Sequence, residues 1–178
     1  MEPLLEYLAI RKFDRPSWSN NPDDWHSLPC GAGMCVRRSV ARSYAQRVAT
    51  DPMRRRLGRV GGALSSGEDL DLAQTSSDLG LGFGTFPQLT MTHLIPAQRV
   101  RPDYFLRLVQ GIIASGVLLR YIRSGNLRTE PNALKVWLHF AAIYMRRGRY
   151  RARVYKASQD AIRTGVRAVR ELASRGAA

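Results

Sequence analysis

Apolar positions recur at helical spacing in the second half of the chain, and only in short, interrupted stretches in the first. Residues 104–123 place Leu108, Ile112 and Leu119 along one stripe, which predicts a helix. Gly125, Asn126, Pro131 and Asn132 break it, and a second apolar helix is predicted over about 133–145. Beyond Arg146 the pattern becomes a strongly basic helix to about residue 174, with a thin apolar face of Val154, Ile162, Val166 and Val169.

The first half reads as loop and mixed α/β. Leu4, Leu5 and Leu8 suggest a short helix over residues 1–12. A loop of turn formers follows, through Pro16, Ser17, Ser19, Asn20, Asn21 and Pro22. It carries Trp18 and Trp25, and two tryptophans in a polar loop imply that it packs onto a scaffold or lines a pocket. Residues 31–36 read as a tight turn entering a short strand, and 38–49 as a helix through Val40, Tyr44 and Val48. Gly61 and Gly62 are expected to close a further basic helix. Residues 68–79 read as a helix capped by Ser65 or Ser66 and stopped at Gly80. Residues 81–95 read as two short strands broken at Pro87, and Pro96 and Pro102 bracket a connector. No internal repeat is present.

Length adds that 178 residues suffice for one domain with a real core. No stretch approaches the ~18 uninterrupted apolar residues of a spanning helix. The N-terminus carries Glu2 and Glu6 without a basic-then-apolar layout, so it does not read as a secretory signal, and a cytoplasmic protein is expected. Cys30 and Cys35 lack further Cys or His at zinc-site spacing. They read as small half-buried residues lining a turn, and a disulfide is disfavoured in a reducing compartment.

Charge changes the picture more. The net charge of +14 is uneven: residues 1–98 hold 11 Lys+Arg against 10 Asp+Glu, and residues 99–178 hold 17 against 4. An anionic partner is therefore expected at the C-terminal part, among anionic lipid headgroups, a phosphorylated substrate or nucleic acid. Arg146, Arg147, Arg149, Arg151 and Arg153 beside an apolar face suit an anionic membrane surface, and equally a solvated charged helix. Nucleic acid fits less well, because aromatic interleaving stops at Tyr150 and Tyr155 and no recognition module is matched.

The ordered segments Pro29-x-Gly31-Ala32-Gly33-Met34-x-Val36-Arg37-Arg38, Ser66-Gly67-Glu68-Asp69-Leu70-Asp71-Leu72 and Thr92-His93-Leu94-Ile95-Pro96-Ala97-Gln98-Arg99, followed by Tyr104 to Gly111, carry a resemblance. Together they resemble the acceptor half of bacterial family 2 glycosyltransferases, over roughly residues 3–123. The resemblance implies the α/β class: a partial GT-A-like, Rossmann-like half-domain with short strands over 1–103, then a helical, basic extension over 104–178. It implies an inverting transferase of polysaccharide biosynthesis that moves a sugar from a nucleotide-sugar donor to a hydroxyl of a glycan or lipid-linked acceptor. The complete enzyme would use a divalent cation, Mg or Mn. The nucleotide-binding half has no counterpart in these segments, so activity of the chain alone is not implied. Localisation is expected to be cytoplasmic, at or near the inner face of the membrane. The alternative is a non-catalytic membrane-surface or anionic-partner binding protein acting through the basic C-terminal helix.

Inverting transfer needs a base for the acceptor proton, and a carboxylate in hydrogen-bond reach suffices. Taken alone, Glu68, Asp69 and Asp71 say only that a helix begins, since acids suit its dipole. The resemblance makes Asp69 the base, with Glu68 assisting acceptor binding. It further implies a sugar or acceptor wall from Trp25, Gly31, Ala32 and Gly33, and a cation or diphosphate contact at His93. Arg37, Arg38 and Arg99 would neutralise the diphosphate, guanidinium forks being suited to phosphate oxygens. Each also has a plain reading, as loop anchor, hydrogen-bonded strand end or solvated arginine.

Overall fold

Helices account for most of the chain, and a single pair of three-residue strands for its described β-structure. A computed structural model describes residues 6–59 and 64–176. Two compact units are formed, Met1–Asp51 with Gly67–Leu94, and Pro52–Ser66 with Ile95–Ala178.

In the first unit, a one-turn 3-10 helix (Glu6–Leu8) replaces the helix expected over 1–12, whose first five residues lie outside those described. Strand β1 (Ser17–Ser19) forms inside the polar loop, where only turns were expected. It pairs antiparallel with β2 (Phe83–Thr85), Trp18 facing Gly84. Helix α1 (Arg38–Thr50) follows the predicted spacing and buries Val40. Two expected strands do not form. After the turn at Gly31 the chain runs irregularly to Arg37, and residues 88–95 are irregular, with Leu89, Met91 and Leu94 exposed. Neither segment has a neighbouring strand among the described residues, and an unpaired strand leaves its backbone groups without a ladder.

Helix α2 (Pro52–Arg55) is four residues long and belongs to the second unit. Gly61 and Gly62, expected to close that helix, lie outside the described residues. Helix α3 (Glu68–Asp78) starts from Gly67, so neither Ser65 nor Ser66 caps it. The acids take that role: the Gly67 amide donates to Glu68 Oε2 at 3.0 Å, and the Leu70 amide to Asp69 Oδ1 at 2.9 Å. At the other end Gly80, with φ +69°, lets its own amide reach Ser77 O and that of Leu81 reach Ser76 O. Those two bonds are the Schellman closure that a glycine at this position favours. Behind α3, Leu28, Ala73 and Phe83 form a buried cluster with Met34 and Leu70 packed against it.

The second unit is built on α4 (Pro102–Ser124) and α5 (Ala133–Gly176), which pack along one another. By length and composition α4 is apolar enough to cross a membrane. Here part of that apolarity is buried: Val117 meets Ile162 and Val166 of α5, with Ile113 alongside. The apolar face expected on the basic tail is thus occupied by α4, with Ile162, Val166 and Val169 buried and Val154 half-buried. Leu64 lies so close that a Cβ on Gly111 would sit 2.0 Å from its carbonyl oxygen, which requires glycine there. Helix α5 is broken at Gly148, where φ is 81° and ψ 168°.

Candidate functional site

The Gly31-Ala32-Gly33 turn and the acidic start of α3 meet within the first unit. Thirty-eight residues separate Gly31 from Asp69, yet the Gly31 amide donates to Asp69 Oδ2 at 2.9 Å. A Cβ added to Gly31 would lie 2.9 Å from Asp69 Cβ and 3.1 Å from Oδ2, closer than carbon atoms tolerate. Glycine is therefore what allows the carboxylate to approach the turn. Asp69 is half-buried, and each of its oxygens accepts one backbone N–H. A carboxylate has about four lone-pair positions, so two such bonds fix its orientation and leave room to accept a proton.

The neighbouring acids are placed differently. Glu68 is half-buried and folds back to the Gly67 amide. Asp71 is fully buried, with its carbonyl accepting the Thr75 hydroxyl at 2.8 Å, and is removed from any solvent-borne substrate.

Beside this pair lies an open cleft of about 800 Å³. Ala32, Gly33, Arg37 and His93 line it, whereas Asp69, Glu68, Gly31 and Trp25 do not. Trp25 is 60% exposed, and its carbonyl accepts from Arg11 at 3.5 Å. Arg99 belongs to the second unit, on a 3-10 helix (Ala97–Val100). Cys30 and Cys35 are free thiols on the cleft wall.

Apart from Trp18, several lining residues were not singled out by sequence. Arg11 and Lys12 join Arg37, giving a cleft with three Lys or Arg side chains and no carboxylate among the described residues. Arg11 also braces the polar loop by donating to Leu28 O at 2.5 Å and His26 O at 2.8 Å. Trp18 and Phe86 supply aromatic surface, Trp18 being 72% exposed. Thr85 is buried on the cleft wall, and its hydroxyl oxygen has no hydrogen-bond partner among the described residues. Trp18 had a legible signal, an aromatic side chain in a polar loop; Arg11 and Thr85 had none, since both depend on contacts between distant segments.

The loop opposite is ordered by short polar links. The Asn21 amide donates to Ser19 Oγ, the Asp23 amide to Asn21 Oδ1 and the His26 amide to Asp24 Oδ1. These are the side-chain turns such residues favour. Ser27 donates to Asp24 Oδ2 at 3.0 Å, so Ser17, 2.7 Å from the Ser27 oxygen, is the donor in that contact. The Ser27 hydroxyl, ahead of the amides nearby, holds the Asp24 carboxyl below its ordinary value.

A divalent cation does not fit the described residues by themselves. Among them no group of three or more His, Cys, Asp or Glu side chains is placed to hold a metal ion. His93 lines the cleft with no carboxylate beside it among the described lining residues, and a single imidazole does not make a cation site. Compared with protein-family models, curated proteins and solved structures, the chain matches none.

Proposed function

We propose that this chain is the acceptor-side, base-bearing portion of an inverting family 2 glycosyltransferase. In this reading the first unit is one side of a GT-A-like domain, and a nucleotide-sugar-binding half completes it. The observation that carries the proposal is the bond from the Gly31 amide to Asp69 Oδ2, 2.9 Å long. It joins the two motif segments of the resemblance and holds a half-buried carboxylate in a fixed orientation at the edge of a turn.

Asp69 takes the proton of an acceptor hydroxyl as that oxygen attacks the anomeric carbon. The new glycosidic C–O bond forms, the bond from the sugar to the diphosphate breaks, and the nucleoside diphosphate departs with the electron pair. Arg37, with Arg11 and Lys12 on the same cleft, suits an anionic group, and Trp18 and Phe86 offer faces on which a sugar ring stacks. No step is assigned to a cation.

The test separates the two substrates. Titration of the intact chain with glycan or lipid-linked acceptors and with nucleotide sugars should give binding of an acceptor, and transfer once a nucleotide-sugar-binding half is supplied. A chain that binds no acceptor, and supports no transfer with such a half, would contradict the proposal.

A further inference from the structure

Residues 133–147, the first segment of α5, are apolar on two faces, and only one is packed. Val136 is buried and Phe140 and Ile143 are half-buried on the inward side. Leu134, Trp137, Leu138, Tyr144 and Met145 are 66%, 64%, 52%, 48% and 82% exposed. At about 100° per residue these five fall within an arc of about 120°, a continuous outward stripe about three turns long. An apolar stripe of this size left uncovered on a helix marks a surface for a partner or for lipid.

Charge identifies what covers the stripe. Arg146, Arg147, Arg149 and Arg151 follow it directly and are exposed, and none makes an ion pair among the described residues. Basic residues farther along are engaged: Arg153 with Asp103, Lys156 and Arg163 with Asp160, and Arg170 with Glu130. A run of four uncompensated arginines thus adjoins the uncovered apolar surface, while Arg167 and Arg175 are the unpaired cations nearer the end of the helix among the described residues. Parallel self-association through this stripe would bring two such arginine runs together, which like-charge repulsion opposes.

We propose that the outward face of residues 133–147 docks in the interface of an anionic membrane. Trp137, Leu138 and Met145 enter the headgroup–acyl boundary, where tryptophan is favoured. Arg146, Arg147, Arg149 and Arg151 meet lipid phosphates. The docking surface is not the apolar face of the basic tail, which α4 covers, and it is independent of the chemistry proposed for the other unit.

Co-sedimentation of the full chain tests this, using vesicles of phosphatidylcholine alone and vesicles in which about a third of the lipid is phosphatidylglycerol. Wild type should bind the anionic vesicles at least about tenfold more strongly than the neutral ones. Trp137→Ser with Leu138→Ser and Met145→Ser should lose about tenfold or more of that binding with an unchanged circular-dichroism spectrum. Arg146→Gln with Arg147→Gln and Arg149→Gln should abolish the preference for anionic lipid. Serine variants that sediment like wild type, or equal wild-type binding to both vesicles, would overturn the proposal. So would a serine variant that turns a wild-type dimer into a monomer in sedimentation velocity without affecting vesicle binding, since the occupant would then be a second copy.

Discussion

Gly31 and Asp69 are joined by a 2.9 Å hydrogen bond across a gap that has no room for a side chain on the glycine. Because that Cβ would lie 2.9 Å from Asp69 Cβ, Gly31→Ala must push either the turn or the start of α3 aside. The expected loss is about 1–3 kcal/mol of stability, as for overpacking elsewhere. Urea unfolding measures it, and an unchanged midpoint would contradict this account of the contact.

Ser27 links the loop to Asp24. Folding favours the charged form of Asp24, so the link stabilises the fold above the carboxyl's unfolded value and is lost as pH falls through the lower folded one. In Ser27→Ala the largest cause of that lowering is gone, and the Asp24 titration should move upward. An NMR pH titration of the side-chain carboxyl reads this directly; identical curves for the two proteins would exclude the Ser27 hydroxyl as the cause.

In the second unit the contact of Val117 with Ile162 and Val166 holds α4 against α5. Ile162 is 4% exposed, so Ile162→Ala leaves a cavity and should cost about 2–5 kcal/mol. Thermal unfolding followed by circular dichroism gives the value. A cost under about 0.5 kcal/mol, the range of surface substitutions, would mean that this cluster is not a core.

Gly148 takes a φ of 81° with ψ of 168°, a region essentially restricted to glycine. Alanine there should cost about 1–3 kcal/mol, or extend the helix through the break and raise the helical signal. Amide exchange around residue 148 distinguishes these outcomes from an unaffected break, which would contradict the role given to glycine.

These contacts also mark how far the sequence could be read. Helices α1 and α4 were legible because their apolar spacing persists over several turns, and α3 because an acidic first turn opens it; the Gly80 and Gly125 stops follow from local chemistry. Strand β1 was not, since the alternation of Ser17-Trp18-Ser19 lasts only three residues and depends on a distant partner, Ser17 standing opposite Thr85 and Ser19 opposite Phe83. The alternation over residues 88–95 misled for the converse reason: Leu89 and Met91 keep strand spacing but have no partner strand among the described residues. Residues 133–147 were readable as a helix, yet apolar side chains on two faces conceal which of them is packed. In the candidate site Asp69 could be located by its acidic block. Its contact with Gly31, and the cleft formed by Arg11, Arg37 and Thr85, arise only when distant segments meet.

The role of Asp69 is tested most directly by steady-state transfer kinetics of Asp69→Asn, in the chain completed with a nucleotide-sugar-binding half. Asparagine preserves the shape and an oxygen for the Gly31 amide but cannot accept the acceptor proton. The predicted result is a fall in kcat of about 10²–10⁴-fold with the acceptor KM nearly unchanged. Undiminished kcat would contradict the assignment of Asp69 as the base.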